Sequence, residues 1–366
     1  MQGYVDRLCA EMAGARSHAD ALQAILPERA DSIFFGGGTP TLLAPNQLRQ
    51  IFEVMREKFA VDAGAEITVE CAPGQLPEET LEELLQQGMN RISFGVQSFV
   101  DVEAASVGRL HSGELCCAEI ERVRSAGLRQ INVDLIAGLP HQTHVSWQHS
   151  LDEAVASGAQ HVSVYMLEVD EDSRLGREVM AGGTRYHAHS VPDEELTAEL
   201  YLQACERLEA AGIHQYEISN FAKPGRESRH NLKYWQRKPY RGFGLDAHSM
   251  LETEHGSAIC VAVRFANTDD LNLYELSTGG VAPQRITRQA ALEEAVFLGL
   301  RLNTGIDLAD LAKKFGENEV SGLLPAAQEL REDGLMQQEG TRIRLTARGR
   351  LLSNDVFARM LEAVPA

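Results

Sequence analysis

Residues Ser32–Leu42 read SIFFGGGTPTL, and the chain is organised around them. Ile33, Phe34 and Phe35 make a short apolar run, and Gly36, Gly37 and Gly38 follow at once. Thr39 and Pro40 stop the run, and Pro45 opens a helical pattern. A buried strand that ends in glycines lets a ligand reach bare backbone, because no Cβ stands in the way. In parallel α/β sheets, ligands sit at that end of the strands. Taken alone, the stretch is also what a tight turn between strand and helix looks like. It is not a phosphate-binding P-loop, since no Gly-Lys-Ser/Thr follows.

Outward from this stretch, strand-like runs recur: EITVEC from Glu66, RISFGV from Arg91, QINVDLIAGL from Gln130 and HVSVYML from His161. Helical patterns lie between them, at Pro45 to Phe59, Pro77 to Gln87, Gly113 to Ser125 and Val145 to Ser157. An amphipathic helix is expected before them, from Tyr4 to Ile25, with Val5, Leu8, Met12, Leu22 and Ile25 facing a core. This alternation predicts βαβ units on a parallel sheet, as in a closed or partial barrel. Polar residues collect at the strand ends: Glu70, Gln97, Ser98, and Asp134 inside an otherwise apolar run. One such residue is ordinarily satisfied by a neighbouring backbone N–H. Four at matching strand ends point to a site.

Bulk properties narrow the function. The 366 residues are 44% hydrophobic, which fits one large domain and a smaller one. A net charge of -19 argues against non-specific nucleic-acid binding, which needs basic surface. No apolar run is long enough to span a bilayer, and MQGYVDRLCAEMAG has no apolar signal core. The expectation is a cytoplasmic chain without a transmembrane segment. Cys9, Cys71, Cys116, Cys117, Cys205 and Cys260 show no C-x-x-C spacing and read as free thiols.

Beyond Leu167, EVDEDSRLGRE leads into a glycine-containing loop, Ala181 to Ser190, and a helix from Pro192 to Ala211. IHQYEISNFAKPG then reads as one more strand and a turn. From Ser228 the composition changes to SRHNLKYWQRKPYRGFGLDAHSM, where basic and aromatic residues interleave with His230 and His248. Such a patch either grips a planar anionic ligand or packs as an aromatic loop. Near Gln284 a last module begins, with helices at Arg288 to Leu302, Asp307 to Phe315 and Glu319 to Asp333. LMQQEGTRIRLT reads as a hairpin around Gly340, followed by a helix from Thr346. Helices followed by a hairpin are winged-helix-like. In so acidic a chain this reads as a docking module rather than a DNA reader.

Several motifs fall in order: GGGTP at Gly36, ECAPG at Glu70, NRISFGVQSF at Asn90, GRLH at Gly108, NVDLIAGLP at Asn132, HNLKYW at His230 and then GFGLDAHS. Together they resemble the radical S-adenosylmethionine (SAM) enzymes related to oxygen-independent coproporphyrinogen III oxidase. Within that group, the H-N-x-x-Y-W segment resembles the HemW-like haem chaperones. The likeness runs from Tyr4 to the end of the chain. It implies a partial (β/α) barrel over residues 1–225, a haem-binding segment and linker over 226–285, and the winged-helix-like α+β domain over 286–366. It further implies that Gly37, Gly38 and Thr39 contact the amino-acid end of SAM, and that Glu70, Gln97, Arg109, Asp134 and Glu168 complete that site. For haem it implies His230 as axial ligand, with Asn231, Tyr234 and Trp235 beside it; Lys233 and Arg237 would meet the propionates. His248 is a second candidate ligand. The implied function is to bind haem in the cytoplasm and hand it to apo-proteins of the respiratory chain. The alternatives are a coproporphyrinogen III oxidase that decarboxylates two propionates, and a remnant that binds nothing.

The family's hallmark, an N-terminal strand followed by C-x-x-x-C-x-x-C that holds a [4Fe–4S] cluster, does not occur in this sequence. The expectation is therefore a barrel without its first strand, no cluster in the chain as written, and no radical chemistry from it. No residue is assigned a catalytic role. The same reading expects a true start upstream of Met1, and [4Fe–4S] only if that segment supplies the cysteines.

Overall fold

Every second residue of the central strands is apolar, and that alternation sets the layers of the sheet. In the computed structural model, which describes residues 1–168, 177, 178, 180, 181, 183, 185–257, 260–276 and 282–364, the chain forms two compact units. One comprises Ile33–Ala44 and Glu66–Ser228. The other comprises Met1–Ser32, Pro45–Ala65 and Arg229–Ala366.

The first unit is built on a seven-stranded sheet of the partial-barrel type. Its strands are β1 (Arg29–Phe35), β2 (Ala60–Cys71), β3 (Arg91–Gln97), β4 (Gln130–Ala137), β5 (His161–Met166), β6 (His214–Gln215) and β7 (Asn220–Ala222). They lie in the order β1-β2-β3-β4-β5-β7-β6. β2 to β5 pair in parallel, as the alternation predicts. β7 then runs antiparallel to β5, and β6 antiparallel to β7. The sequence reads IHQYEISNFAKPG as a single strand, but the chain doubles back there. The N–H groups of Tyr216 and Glu217 both reach the Asn220 carbonyl, which makes two short strands of it.

One face of the sheet is dry. Ile67, Val69, Ile92, Phe94, Ile131, Val133, Val162 and Val164 are all buried there. Helices Glu78–Gln86, Gly113–Ser125 and His144–Ala156 of this unit, and Pro45–Lys58 of the other, stand within two residues of their expected bounds. Their starts are fixed by side chains. Ser112 accepts from Leu115 N–H, and Thr143 and Ser146 form a reciprocal capping box. Fully buried Trp147 donates its indole N–H to Leu200 O at 2.7 Å, tying its helix to Glu194–Ala210. Most of EVDEDSRLGRE lies outside the described residues, and Arg185–Ser190 forms a 3-10 turn.

In the second unit the expected helix from Tyr4 to Ile25 is two helices, Gln2–Ala13 and Ala15–Ala21, interrupted at Gly14. Val5 and Met12 are buried as expected, but Ile25 is exposed beyond the helix end, its N–H donating to Glu252 O. Ala15, Ala19, Leu26, Leu251, Val263 and Phe265 form a core with the antiparallel strands β8 (His248–Ser257), β9 (Cys260–Ala266) and β10 (Gln284–Ile286). The last module carries helices Arg288–Leu300, Leu308–Phe315 and Leu323–Glu332. Its sheet consists of β11 (Ile306–Asp307) and the hairpin β12 (Met336–Glu339) and β13 (Arg342–Leu345), turned at Gly340 as expected. Among the described residues no helix is long and apolar enough to cross a membrane.

Candidate functional site

The other face of the sheet is polar. The strand register aligns Glu70, Ser93, Asn132 and His161 in one row across β2 to β5, and Asp134 with Ser163 in the next. Asn132 Nδ2 lies 2.6 Å from Ser93 Oγ, 2.7 Å from Asp134 Oδ1 and 3.1 Å from Ser163 Oγ. Ser93 Oγ donates to Asp134 Oδ2 at 2.9 Å. His161 Nδ1 is 2.6 Å from Asn132 Oδ1, and its Nε2 is 2.8 Å from Tyr216 Oη.

Proton counting orients this network. An ionised carboxylate only accepts, so Asn132 must turn its amide nitrogen to Asp134. Its oxygen then accepts, so His161 carries its proton on Nδ1 and accepts a hydrogen bond from the Tyr216 hydroxyl at Nε2. Burial holds His161 well below its ordinary range, and the Arg91 charge adds to this, so the ring stays neutral. Burial pushes the Asp134 carboxyl above the usual carboxylate range, against the pull of Ser163, Ser93 and Asn132. Glu70 is raised too, first by burial and then by the Asp134 charge, while the Gly37 N–H pulls it back.

Glu70 stands beside the glycine turn, and the Asp134 charge acts on it. A Cβ at Gly36 would meet Glu70 Oε2 at 3.1 Å, so the carboxylate rests on bare backbone. Gly37 and Gly38 take φ of +77° and +117°, with open space where a Cβ would be. On β3, a Cβ at Gly95 would sit 3.3 Å from Gln97 Nε2 and 3.4 Å from Arg109 Nη2, so both side chains lie over that glycine. The structure thus groups Gly37, Glu70 and Asp134, and sets Gln97 beside Arg109. Thr39 opens the 3-10 turn Pro40–Leu42, and Glu168 is exposed two residues past β5. Ser98, expected at the site, is instead fully buried. It bonds Glu103 Oε2 (2.7 Å) and Ser150 Oγ (3.1 Å), just past the point where the strand register shifts between Phe94 and Gln97. Sequence reasoning missed Ser93, Asn132, His161, Ser163 and Tyr216. The available signal was polar residues at alternate positions in RIS, NVD and HVS.

The arrangement suits a zwitterionic ligand with hydroxyls. Paired carboxylates accept from ammonium or hydroxyl groups, and a guanidinium clasps a carboxylate in a fork.

The remaining candidates lie in the second unit, on the short helix Arg229–Trp235. His230 Nδ1 is 3.2 Å from Ser32 Oγ, and its Nε2 is 3.1 Å from Tyr234 Oη. Tyr234 packs edge-on against both His230 and Tyr240. Trp235 lies under the Arg301 guanidinium at 4.4 Å, and Asn231 is half-buried. Much of the basic patch is spent on structure. Lys233 pairs with Asp31, buried Arg237 with Glu294 at 2.7 Å, and Arg241 with Glu11 at 2.8 Å. In the GFG stretch, Phe243 packs against Phe59 at 5.7 Å and under the Arg241 guanidinium at 4.4 Å. His248 is exposed, 3.8 Å from Asp246.

Residues 16–154 match the radical SAM superfamily, and residues 286–352 match the HemN C-terminal domain. Over 90% of its length the chain is 37% identical to the heme chaperone HemW of Bacillus subtilis, covering 85% of that protein. The chain belongs to the HemW family. The HemW of Synechocystis is 33% identical, over 84% of this chain and 71% of the relative. In fold, the chain is similar to coproporphyrinogen III oxidase (HemN) from Escherichia coli, a radical SAM enzyme. The TM-score is 0.79 at 23% identity, over 98% of this chain and 82% of that one.

The cysteines of this HemW-family chain do not fit an iron–sulfur cluster. All six are free thiols, and among the described residues no three His, Cys, Asp or Glu side chains gather as metal ligands. Burial pushes the Cys71 and Cys116 thiols up to about 12.

Proposed function

We propose that this chain is a cytoplasmic haem chaperone, which binds haem as cargo and passes it to apo-proteins, and that the polar face of its sheet holds SAM. The SAM reading rests on Glu70, which accepts from Gly37 N–H beside the open Gly37–Gly38 backbone, and on the Asp134 charge that raises it. In it, Arg109 takes the SAM carboxylate, and Glu70 and Asp134 accept from its ammonium or ribose hydroxyls. SAM would supply a sulfonium and a nucleoside there; the residues bind and orient it. Gln97, Thr39 and Glu168 complete the set by resemblance.

The haem reading rests on how Ser32 holds His230. A ligating imidazole needs its second nitrogen engaged, and Ser32 Oγ is positioned to accept from Nδ1–H. That leaves Nε2 for iron, once the Tyr234 hydroxyl yields it. Asn231, Tyr234 and Trp235 supply the surroundings, and a propionate reaching Lys233 competes with Asp31.

Haem titration of the full chain tests this. His230→Ala should weaken binding at least about tenfold, or 1.4 kcal/mol, and alter the Soret band. Tyr234→Phe keeps the ring and removes that hydroxyl, so affinity should hold or rise. An unchanged Soret band in His230→Ala, or a loss in Tyr234→Phe equal to it, sinks the assignment. Conversion of coproporphyrinogen to protoporphyrinogen would assign an oxidase instead.

A further inference from the structure

We propose that His141 and His187 form a two-imidazole site for a divalent transition-metal ion of the zinc, copper or nickel class. Nε2 of His141 and Nδ1 of His187 stand 3.0 Å apart, with ring centroids at 4.8 Å and planes inclined by 71°. Two imidazole nitrogens bound to one ion at about 2.0–2.1 Å, at angles of about 90–110°, stand roughly 2.9–3.4 Å apart. The pair is therefore already at the spacing of neighbouring ligands. Ligands on opposite sides of a haem iron would stand about 4 Å apart at the same bond lengths, so this is not a bis-histidine haem site. Imidazole pairs with water in the remaining positions suit zinc, copper and nickel. His187 is exposed and His141 half-buried, so solvent can reach those positions.

A simple N–H···N hydrogen bond would give the same separation. The backbone argues for more than that. His141 has φ +70° and His187 φ +59°, both in the left-handed region. A solvent-exposed hydrogen bond contributes less than the strain of holding two non-glycine residues there. The positions are also fixed. His141 N–H donates to Ser190 O at 2.9 Å, which ties the two loops together. The next residue, buried Gln142, clamps the turn: its Oε1 accepts from Gly138 N–H (2.6 Å) and its Nε2 donates to Ile136 O (3.1 Å). A preset pair binds an ion without first ordering its ligands.

His141→Asn and His187→Asn test the site, because asparagine enters the left-handed region readily and removes only the imidazole. The full chain, stripped of metal, is titrated with zinc against a chromophoric chelator, and copper-loaded samples are read by electron paramagnetic resonance. The wild type should take one tight equivalent and show two imidazole nitrogens on copper. Each variant should lose at least about tenfold in affinity, the size that disturbing even the outer shell of a metal site gives. The double variant should lose little more than either single one. His149→Ala, at an exposed histidine 3.9 Å from Glu153, should match the wild type. Affinities within about twofold of wild type in both asparagine variants, or a single nitrogen on copper, overturn the proposal.

Discussion

Replacing Glu11 by alanine should lower the stability of its unit by about 3–5 kcal/mol, the cost of breaking a buried ion pair from one side. The Glu11 and Arg241 side chains are only 8% and 7% exposed, and they meet at 2.8 Å. Glu11 also accepts from the Tyr274 hydroxyl (2.8 Å), Gly244 N–H (3.1 Å) and Asn267 Nδ2 (3.0 Å). Four donors from distant parts of the chain thus share one carboxylate. Removal leaves a buried guanidinium stacked on Phe243 and Phe265 with no counter-charge. Water cannot easily replace the lost partner, because a buried donor without an acceptor carries its full desolvation penalty. Glu11→Gln keeps an acceptor but not the charge, and should lose less. Urea titration followed by circular dichroism measures both variants. A loss below about 1 kcal/mol in Glu11→Ala would mean that the pair is a surface-like bridge.

Glu11 also marks where the sequence stops being readable. On an amphipathic helix, a glutamate next to Met12 reads as the solvent side, and only its partner at Arg241 makes burial tolerable. That partner is 230 residues away, and no local pattern announces it. The strands are different. Period-two alternation in EITVEC, RISFGV and NVDLIA fixes both faces locally, so the parallel core and the exceptional Asp134 were legible. The doubling-back at Tyr216 to Asn220 was not, because it depends on the Asn220 carbonyl gathering two N–H groups. Gly37, Glu70 and Asp134 stood out because each breaks a local rule. His161 and Tyr216 break none: a polar residue at every second strand position is ordinary, and only the register shows that they fix how Asn132 faces Asp134. Ser98 misled for the opposite reason. It sits in the right motif, but it is buried where the strand register has shifted.

Asp134→Asn should weaken SAM binding by about a hundredfold, the effect of removing one charge from a desolvated, hydrogen-bonded site. This rests on the proposed SAM reading, so wild-type binding by calorimetry comes first, and its absence would end that reading rather than the role of Asp134. The substitution is nearly isosteric, and Ser93 and Ser163 remain to bond the new amide, so the fold should survive. The pH dependence then separates charge from shape. Burial raises Asp134 and, with the Asp134 charge, Glu70, so both gain protons at a higher pH than an ordinary carboxyl. A ligand whose ammonium or hydroxyls donate to them favours the ionised forms. Affinity is therefore full above the raised values and falls as pH drops through them, beginning above the ordinary range of about 4. Burial holds His161 well below its ordinary range, so it adds no step near that range. In Asp134→Asn the fall should shrink to the part owed to Glu70. That part should itself move toward lower pH, since the Asp134 charge no longer raises Glu70. Equal pH profiles in wild type and variant would show that Asp134 shapes the sheet face without binding through its charge.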